Sequence, residues 1–427
     1  MRLTTHVQRM REMPLWVALY LIAAAGASGA DSGLEVRLSG GDKGLPAGFV
    51  HCRPAGASQA GAIYMLKDAA GRECPGQVDQ EGRLWWYASA IKAGKTASWQ
   101  ARLLGAIKDR PDLAVVQVKQ TSEDGYEITL DGKPFTTFNL APEEAKPYLW
   151  PVIGPTGDPV TRAYPMKDQP GERKDHIHHR SIWAAWGEIR SEKTGRITNY
   201  WAQAKTLDQQ DRQIVRKVTA AVSGPVFGQI VAEIDWTAAG GIREFSETRT
   251  YTFFRGDDHT RVIDVRNLFH FDDGDVTFED TKEAGILSLR VATSMDEQAL
   301  EGKKPGKGHM TNSAGKVGAK GCWGQPAEWC DYVGPVNNRT VGIAVFDAPT
   351  NMRHPPRWHI REYGLYAVNP FALKDFTGDK GKNGAQTFRK GEKVEFNYRI
   401  LIHQGDTQEA RVADQYRLYS ERLKTVQ

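Results

Sequence analysis

From Leu34 to Ile402 the chain is built of short runs in which apolar and polar side chains alternate, separated by breaks rich in Gly, Asp or Pro. Alternation with a period of two marks a strand with one buried face. Residues 34–39 (Leu-Glu-Val-Arg-Leu-Ser) open the series, and longer runs follow at 214–219, 230–236, 244–254, 261–271 and 395–402. Residues 126–130, then Asp131-Gly132, then 133–138 carry the signature of a hairpin, whose favoured two-residue turn needs positive φ at both positions. With few helical stretches between, this spacing predicts a mostly β protein, a large antiparallel β-sandwich rather than a parallel α/β sheet. One segment departs from the rhythm. Asp406 and Glu409 have the spacing of a capping box, and Val412, Tyr416, Tyr419 and Leu423 then draw a single apolar stripe. The stripe predicts a C-terminal amphipathic helix lying on the sandwich. Residues 302–320 and 374–390 read as long surface loops of the kind that frame sites.

The first thirty residues change the picture of where the protein works. Arg2, Arg9 and Arg11 precede a short apolar stretch at 14–25, and Ser28-Gly29-Ala30 supplies small residues for cleavage. That stretch is shorter than the about 20 residues a spanning helix needs. The expectation is a periplasmic or secreted protein starting near Asp31. About 400 mature residues exceed one ordinary domain, so residues 31–120 are read as a small N-terminal β domain and 121–427 as the large sandwich carrying the site. The formal charge is +4, and losing three Arg and one Glu with the leader brings it to +2. That balance predicts neither nucleic acid nor an anionic membrane as partner. Four cysteines fall in two close pairs, Cys52 with Cys74 and Cys322 with Cys330, read as local disulfides in an exported chain, although four cysteines allow three connectivities.

Candidate chemistry gathers in three places. His176-Ile177-His178-His179 holds three of the eleven histidines, and Arg180-Ser181-Ile182-Trp183 follows at once. Imidazole titrates near neutrality and is the commonest metal ligand. In the second place, Lys282 is flanked by Asp280 and Glu283, an arrangement that can tune a base or hold an oxyanion. The third is the run 354–370, where His359, Arg361 and Tyr363 alternate with Trp358, Ile360 and Glu362, so one strand face would carry His, Arg and Tyr together. His178, His179, Lys282, Glu283, His359 and Arg361 are the catalytic candidates, and Arg180, Trp183, Asp280, Trp358, Tyr363 and Asn369 the substrate-binding ones. His176, His178, His179 and His359, with Asp280 or Glu283, would offer an N/O set for Zn²⁺ or Mn²⁺. Dinucleotide, P-loop, nucleophile-elbow and H-E-x-x-H motifs are missing from the sequence, so no nucleotide cofactor is expected.

Taken in order, His178-His179-Arg180-Ser181-Ile182-Trp183, Asp280-Thr281-Lys282-Glu283, Trp329 with Asp331-Tyr332, and 358–371 resemble the bacterial PmoA family, from about residue 34 to 406. Ala284 stands where that pattern has Gly, and Cys330 fills its variable position. The resemblance implies a large sandwich similar to galactose-mutarotase-like folds and an association with sugar degradation, not the membrane chemistry of methane oxidation. Fold does not fix function. Two classes follow: a carbohydrate-active hydrolase, lyase or epimerase, or a glycan-binding protein without catalysis. In either, the three motifs should converge on one face within roughly 10–12 Å, the span of a pocket of about 300–1,000 Å³.

Overall fold

The computed structural model describes residues 34–54, 59–301 and 304–424. The leader expected at 1–30 lies outside them, as does the side chain of Leu423. Two eight-stranded antiparallel sheets form the body. The first runs in the order Arg357–Ile360, Leu365–Asn369, Ala284–Arg290, Ile182–Trp186, Tyr148–Val152, Lys133–Asn139, Gly125–Leu130, Val116–Ser122. The second runs Arg212–Val222, Phe227–Ala238, Ile242–Phe254, Thr260–His270, Lys393–Gln404, Arg339–Asp347, Trp329–Val336, His309–Asn312. Their facing residues merge into one core, where Ile182, Trp186, Leu289 and Trp358 meet Ile234, Phe253, Ile263 and Ile400. Burial of each such side chain contributes about 1.5–3 kcal/mol. The inward half of each alternating run thus closes the sandwich, leaving the outward half free to carry other chemistry. The expected hairpin is present, with Asp131 at φ 50° and Gly132 at φ 72° supplying the two left-handed positions.

A six-stranded sheet built from residues 34–106 has its own core of Val36, Leu66, Leu84, Trp86 and Trp99. It docks on the outward face of the second large sheet, where Phe49 and Trp85 meet Phe227 and Phe254. Gln77 fastens the two, its Oε1 accepting the amides of Val226 (3.1 Å) and Phe227 (3.2 Å). Gly224 permits this approach, because a Cβ there would stand 2.1 Å from that oxygen. The C-terminal helix Val412–Lys424 fills the same seam with Val412, Tyr416 and Tyr419, while Leu418 reaches the N-terminal core. The capping box forms, Asp406 N to Glu409 Oε2 and Glu409 N to Asp406 Oδ1 both at 2.9 Å. It closes a turn rather than the helix, since Arg411 is left-handed (φ 53°) and the helix begins one residue later.

The disulfide expectation is corrected: all four cysteines are thiols. Cys52, on the edge strand Gly48–Cys52, lies opposite Leu84, which in turn lies opposite Val78, whereas Cys74 sits four residues before Val78 on the strand Glu73–Val78. Two strand spacings of about 4.8 Å and four residues of about 3.3 Å along the strand separate them, well beyond the roughly 7 Å Cα limit for a bridge. Cys322 and Cys330 are both buried, and each thiol is pushed up, Cys322 to about 12, first by burial.

Candidate functional site

The outward face of the first sheet carries the polar residues. His359, Ala367, Ser288 and Trp183 form one row across four strands, because each pairs with the next. Arg361, Leu365, Arg290 and Ser181 form the adjoining row. The same alternation turns Trp358 and Ile360 inward, and Trp358 donates its Nε1–H to the Ala327 carbonyl at 2.9 Å. Trp358 is a core residue, not the substrate contact expected from its motif.

The loop before Ile182–Trp186 lays the histidines over this face. A left-handed turn at His176 (φ 46°) doubles the chain back, and the His179 amide donates to the His176 carbonyl at 2.9 Å. His176 then stacks on His179 and on Tyr363, each at 4.7 Å, and His179 stacks on Trp183 at 5.3 Å. His178 stands edge-on to His179 at 4.5 Å. Trp201 bridges the two motifs, 5.5 Å from His179 and 5.9 Å from His359. The imidazoles of His179 and His359 therefore lie within the sum of those two steps. Trp323 meets His359 edge-on at 5.2 Å and carries the Arg361 guanidinium over its ring at 4.3 Å.

A buried charge network fixes the cluster. Arg290 donates from Nη1 to His179 Nδ1 (2.9 Å) and from Nη2 to Asp175 Oδ1 (2.8 Å), while Arg162 Nη1 reaches the same oxygen at 2.6 Å. A guanidinium only donates, so Nδ1 of His179 is the acceptor and its proton sits on Nε2. Burial opposes charge on Asp175, but the His176 hydrogen bond and the Arg290 and Arg162 guanidiniums outweigh it and hold the carboxyl below its usual range. The imidazoles shift downward. Burial, and after it the charges of Lys146, His176, Arg162 and Arg290, push His178 down to about 3. Burial and then Arg290 hold His179 well below its ordinary value, and burial and then Arg361 do the same for His359.

This geometry corrects the metal expectation. His176 and His179 stack ring on ring, Nδ1 of His179 is taken by Arg290, and the Arg290 and Arg162 guanidiniums both bond to Asp175 beside them. Among the described residues no group of three or more His, Cys, Asp or Glu is arranged to hold a metal ion.

The floor beneath the cluster is polar but unpaired. Trp183 Nε1, Trp201 Nε1, Ser288 Oγ, Arg361 Nε and both ring nitrogens of His359 are buried without a hydrogen-bond partner, although the Lys282 backbone passes close to His359. His176, His178, Tyr363, Arg361, Lys282 and Glu283 reach solvent around it. Lys282 and Glu283 pair with each other at 2.9 Å, and the Glu283 charge acts on Tyr363. A cleft of 610 Å³ opens alongside, sharing Trp323 and Arg361 with the cluster.

Three expected ligand contacts hold structure instead. Asp280 accepts the amides of Leu373 (3.0 Å), Lys374 (3.1 Å) and Gly384 (2.6 Å), tying down the loop after Asn369. Asn369 caps that loop and donates to the Thr281 carbonyl at 2.9 Å, which sets the turn bearing Lys282. Arg180 donates to the Ile177 carbonyl at 3.1 Å, pairs with Glu144 and lies over Tyr148 at 5.7 Å. Asp280→Ala is expected to cost at least about 1.5–3 kcal/mol, the worth of one hydrogen bond to a charged group. Hydrogen exchange should then rise at 371–384, and unchanged protection there would contradict the tethering role.

Sequence reasoning missed Arg162, Trp201, Trp323 and Lys146, and gave Arg290, which follows the Asp280–Glu283 motif, no role of its own. Lys146 is buried, donates Nζ to the Trp201 carbonyl at 2.8 Å, and is pushed well below its usual range by burial and then by Arg180. The first four sit in no dense polar motif, so only the fold brings them in. Asp331 and Tyr332, part of the motif resemblance, act at a distance. Asp331 pairs with His403 at 3.1 Å, and the Tyr332 hydroxyl links Glu297 N (3.1 Å) to the Glu362 carbonyl (3.3 Å), bracing the wall of the cleft.

Comparison with known families gives a match over residues 125–417 to the family of unknown function DUF6807. The chain belongs to that family. The matched region contains the histidine cluster and the cleft and leaves out the six-stranded N-terminal sheet. No curated protein matches the chain. Among solved structures it is similar to a "Putative kojibiose phosphorylase from human microbiome", with 8% identity and a TM-score of 0.26, over 73% of this chain and 34% of that one. It is also similar to a GalM/aldose epimerase homologue from C. elegans, with 7% identity and a TM-score of 0.27, over 68% of this chain and 99% of that one. The chain spans about a third of the phosphorylase.

Proposed function

We propose that this DUF6807 protein is an exported carbohydrate-active enzyme that moves protons at a sugar carbon or oxygen, a lyase or epimerase ahead of a hydrolase. One observation carries the reading: unpaired buried donors and acceptors gather among aromatic faces at Trp183, Trp201, Ser288 and His359. Buried polar groups normally find partners, and each one left without costs about 1–3 kcal/mol. A sugar supplies both missing halves, hydroxyls that donate and accept, and C–H faces that pack on aromatic rings. Hydrolysis by two carboxylates fits less well. Glu279 is paired with Arg190 at 2.9 Å and Asp280 is committed to loop amides, so Glu283 is the one carboxylate of its motif left at the rim. The reading assigns His178 as the proton acceptor at the solvent edge, His359 and His179 as the fixed hydrogen-bonding floor, and Lys282–Glu283 as the pair closing the other side.

Deuterium incorporation into sugar C–H positions, followed by NMR on a panel of neutral and acidic oligosaccharides, tests this. Exchange or product formation is expected, falling about 100-fold or more in His178→Ala. A second reading, glycan binding without turnover, draws on the 1% exposure of both His179 and His359. Binding with neither exchange nor product would favour it. Absence of binding to every saccharide would refute both.

A further inference from the structure

The cleft beside the cluster has a chemistry of its own. Arg361 forms no ion pair with any carboxylate among the described residues; its guanidinium stands over the Trp323 ring at 4.3 Å, and its Nε is buried and unpartnered. A guanidinium is a planar fork of N–H donors that matches a carboxylate with two parallel hydrogen bonds, and packing over an indole restrains it. The neighbouring charges leave that fork unanswered. Glu297 lines the cleft, but its oxygens are taken by the amides of Met310 (2.5 Å) and Ala319 (2.7 Å). Glu362 lines the cleft too but is exposed, and Lys320 and Lys304, the latter 3.7 Å from Glu301, stand on the same wall. A volume of 610 Å³ falls within the range of small-ligand sites, about 300–1,000 Å³.

Building on the carbohydrate reading, we propose that this site takes an acidic saccharide, a uronate ring packing by Trp323 with its carboxylate gripped by Arg361. The arrangement also couples binding to chemistry. Burial and then the Arg361 charge hold His359 below its ordinary value, so a carboxylate seated on Arg361 offsets the second of these while burial, the larger, remains.

The test compares trigalacturonate with its carboxyl-methylated ester by titration calorimetry on the full chain, with glucuronate and mannuronate trisaccharides as further skeletons. The acid form of at least one skeleton is expected to bind about tenfold or more tighter than its ester. Arg361→Met should bring the acid down to the level of the ester, and Arg361→Lys, which keeps the charge but not the fork, should fall between. The acid–ester comparison on the unaltered protein needs no variant to fold. Equal binding of acid and ester, or a preference that survives in Arg361→Met, overturns the carboxylate subsite and leaves the carbohydrate reading standing. Failure to bind any saccharide, neutral or acidic, overturns both.

Discussion

Arg290→Met is expected to cost about 3 kcal/mol of stability and to release the histidine cluster. Arg290 is 1% exposed and joins three groups: the acceptor nitrogen of His179, the carboxylate of Asp175, and the ring of Tyr363 beneath it at 4.8 Å. Breaking a buried ion pair costs about 3–5 kcal/mol because the surviving charge has lost its partner. Here Asp175 keeps Arg162 and part of its surface in solvent, which places the effect at the lower end. Nδ1 of His179 would also lose its donor. Urea unfolding should show a lower midpoint with an unchanged slope, and ¹⁵N shifts should show His179 leaving its single tautomer. A loss below about 1 kcal/mol, the range of exposed pairs, would mean the network does not hold the cluster together. Arg290→Lys should recover only part of the loss, since one ammonium cannot reach both partners in the same fork.

How much of this could be read beforehand follows from what each feature depends on. Strand alternation is local, so the sandwich, the Asp131-Gly132 hairpin and the outward placement of His359 and Arg361 were legible. The same parity that turns His359 outward turns Trp358 inward, so the misassignment of Trp358 came from weighting its motif over its register. Asp280 and Asn369 show the converse difficulty. A polar residue that ties a turn to a loop has the same composition as one that touches a ligand, and only the position of the amides at 373, 374 and 384 separates them. Arg290 and His179 are 111 residues apart, and Trp201 meets His359 across an even longer interval. Such pairings are set by strand order, which alternation does not encode. The pairing of Cys52 with Cys74 fails for the same reason, since two cysteines near in sequence lie on strands with another strand between them.

His359→Phe is expected to stabilise the fold by about 1 kcal/mol while reducing turnover about 100-fold or more. His359 is 1% exposed, lies between Trp201 and Trp323, and has no well-formed hydrogen bond at either ring nitrogen, with only the Lys282 backbone acting on it. An apolar ring there removes an unsatisfied-group penalty of about 1–3 kcal/mol, and the slightly larger phenyl ring returns part of that as packing strain. Burial already keeps the imidazole uncharged, so no ion pair is lost and the stability change should be flat between neutral and mildly alkaline pH. The catalytic consequence runs the other way, because the hydrogen-bonding floor on which a sugar hydroxyl or carbonyl would rest is gone, and acid–base assistance of this kind is worth about 10²–10⁴-fold. A rise in melting temperature together with a loss of turnover is the trade expected of a residue kept for function against stability. If His359→Phe instead melts lower, with turnover falling only as the folded fraction falls, the imidazole belongs to the packing of the sheet, and the site must be sought around His178 and Tyr363 alone.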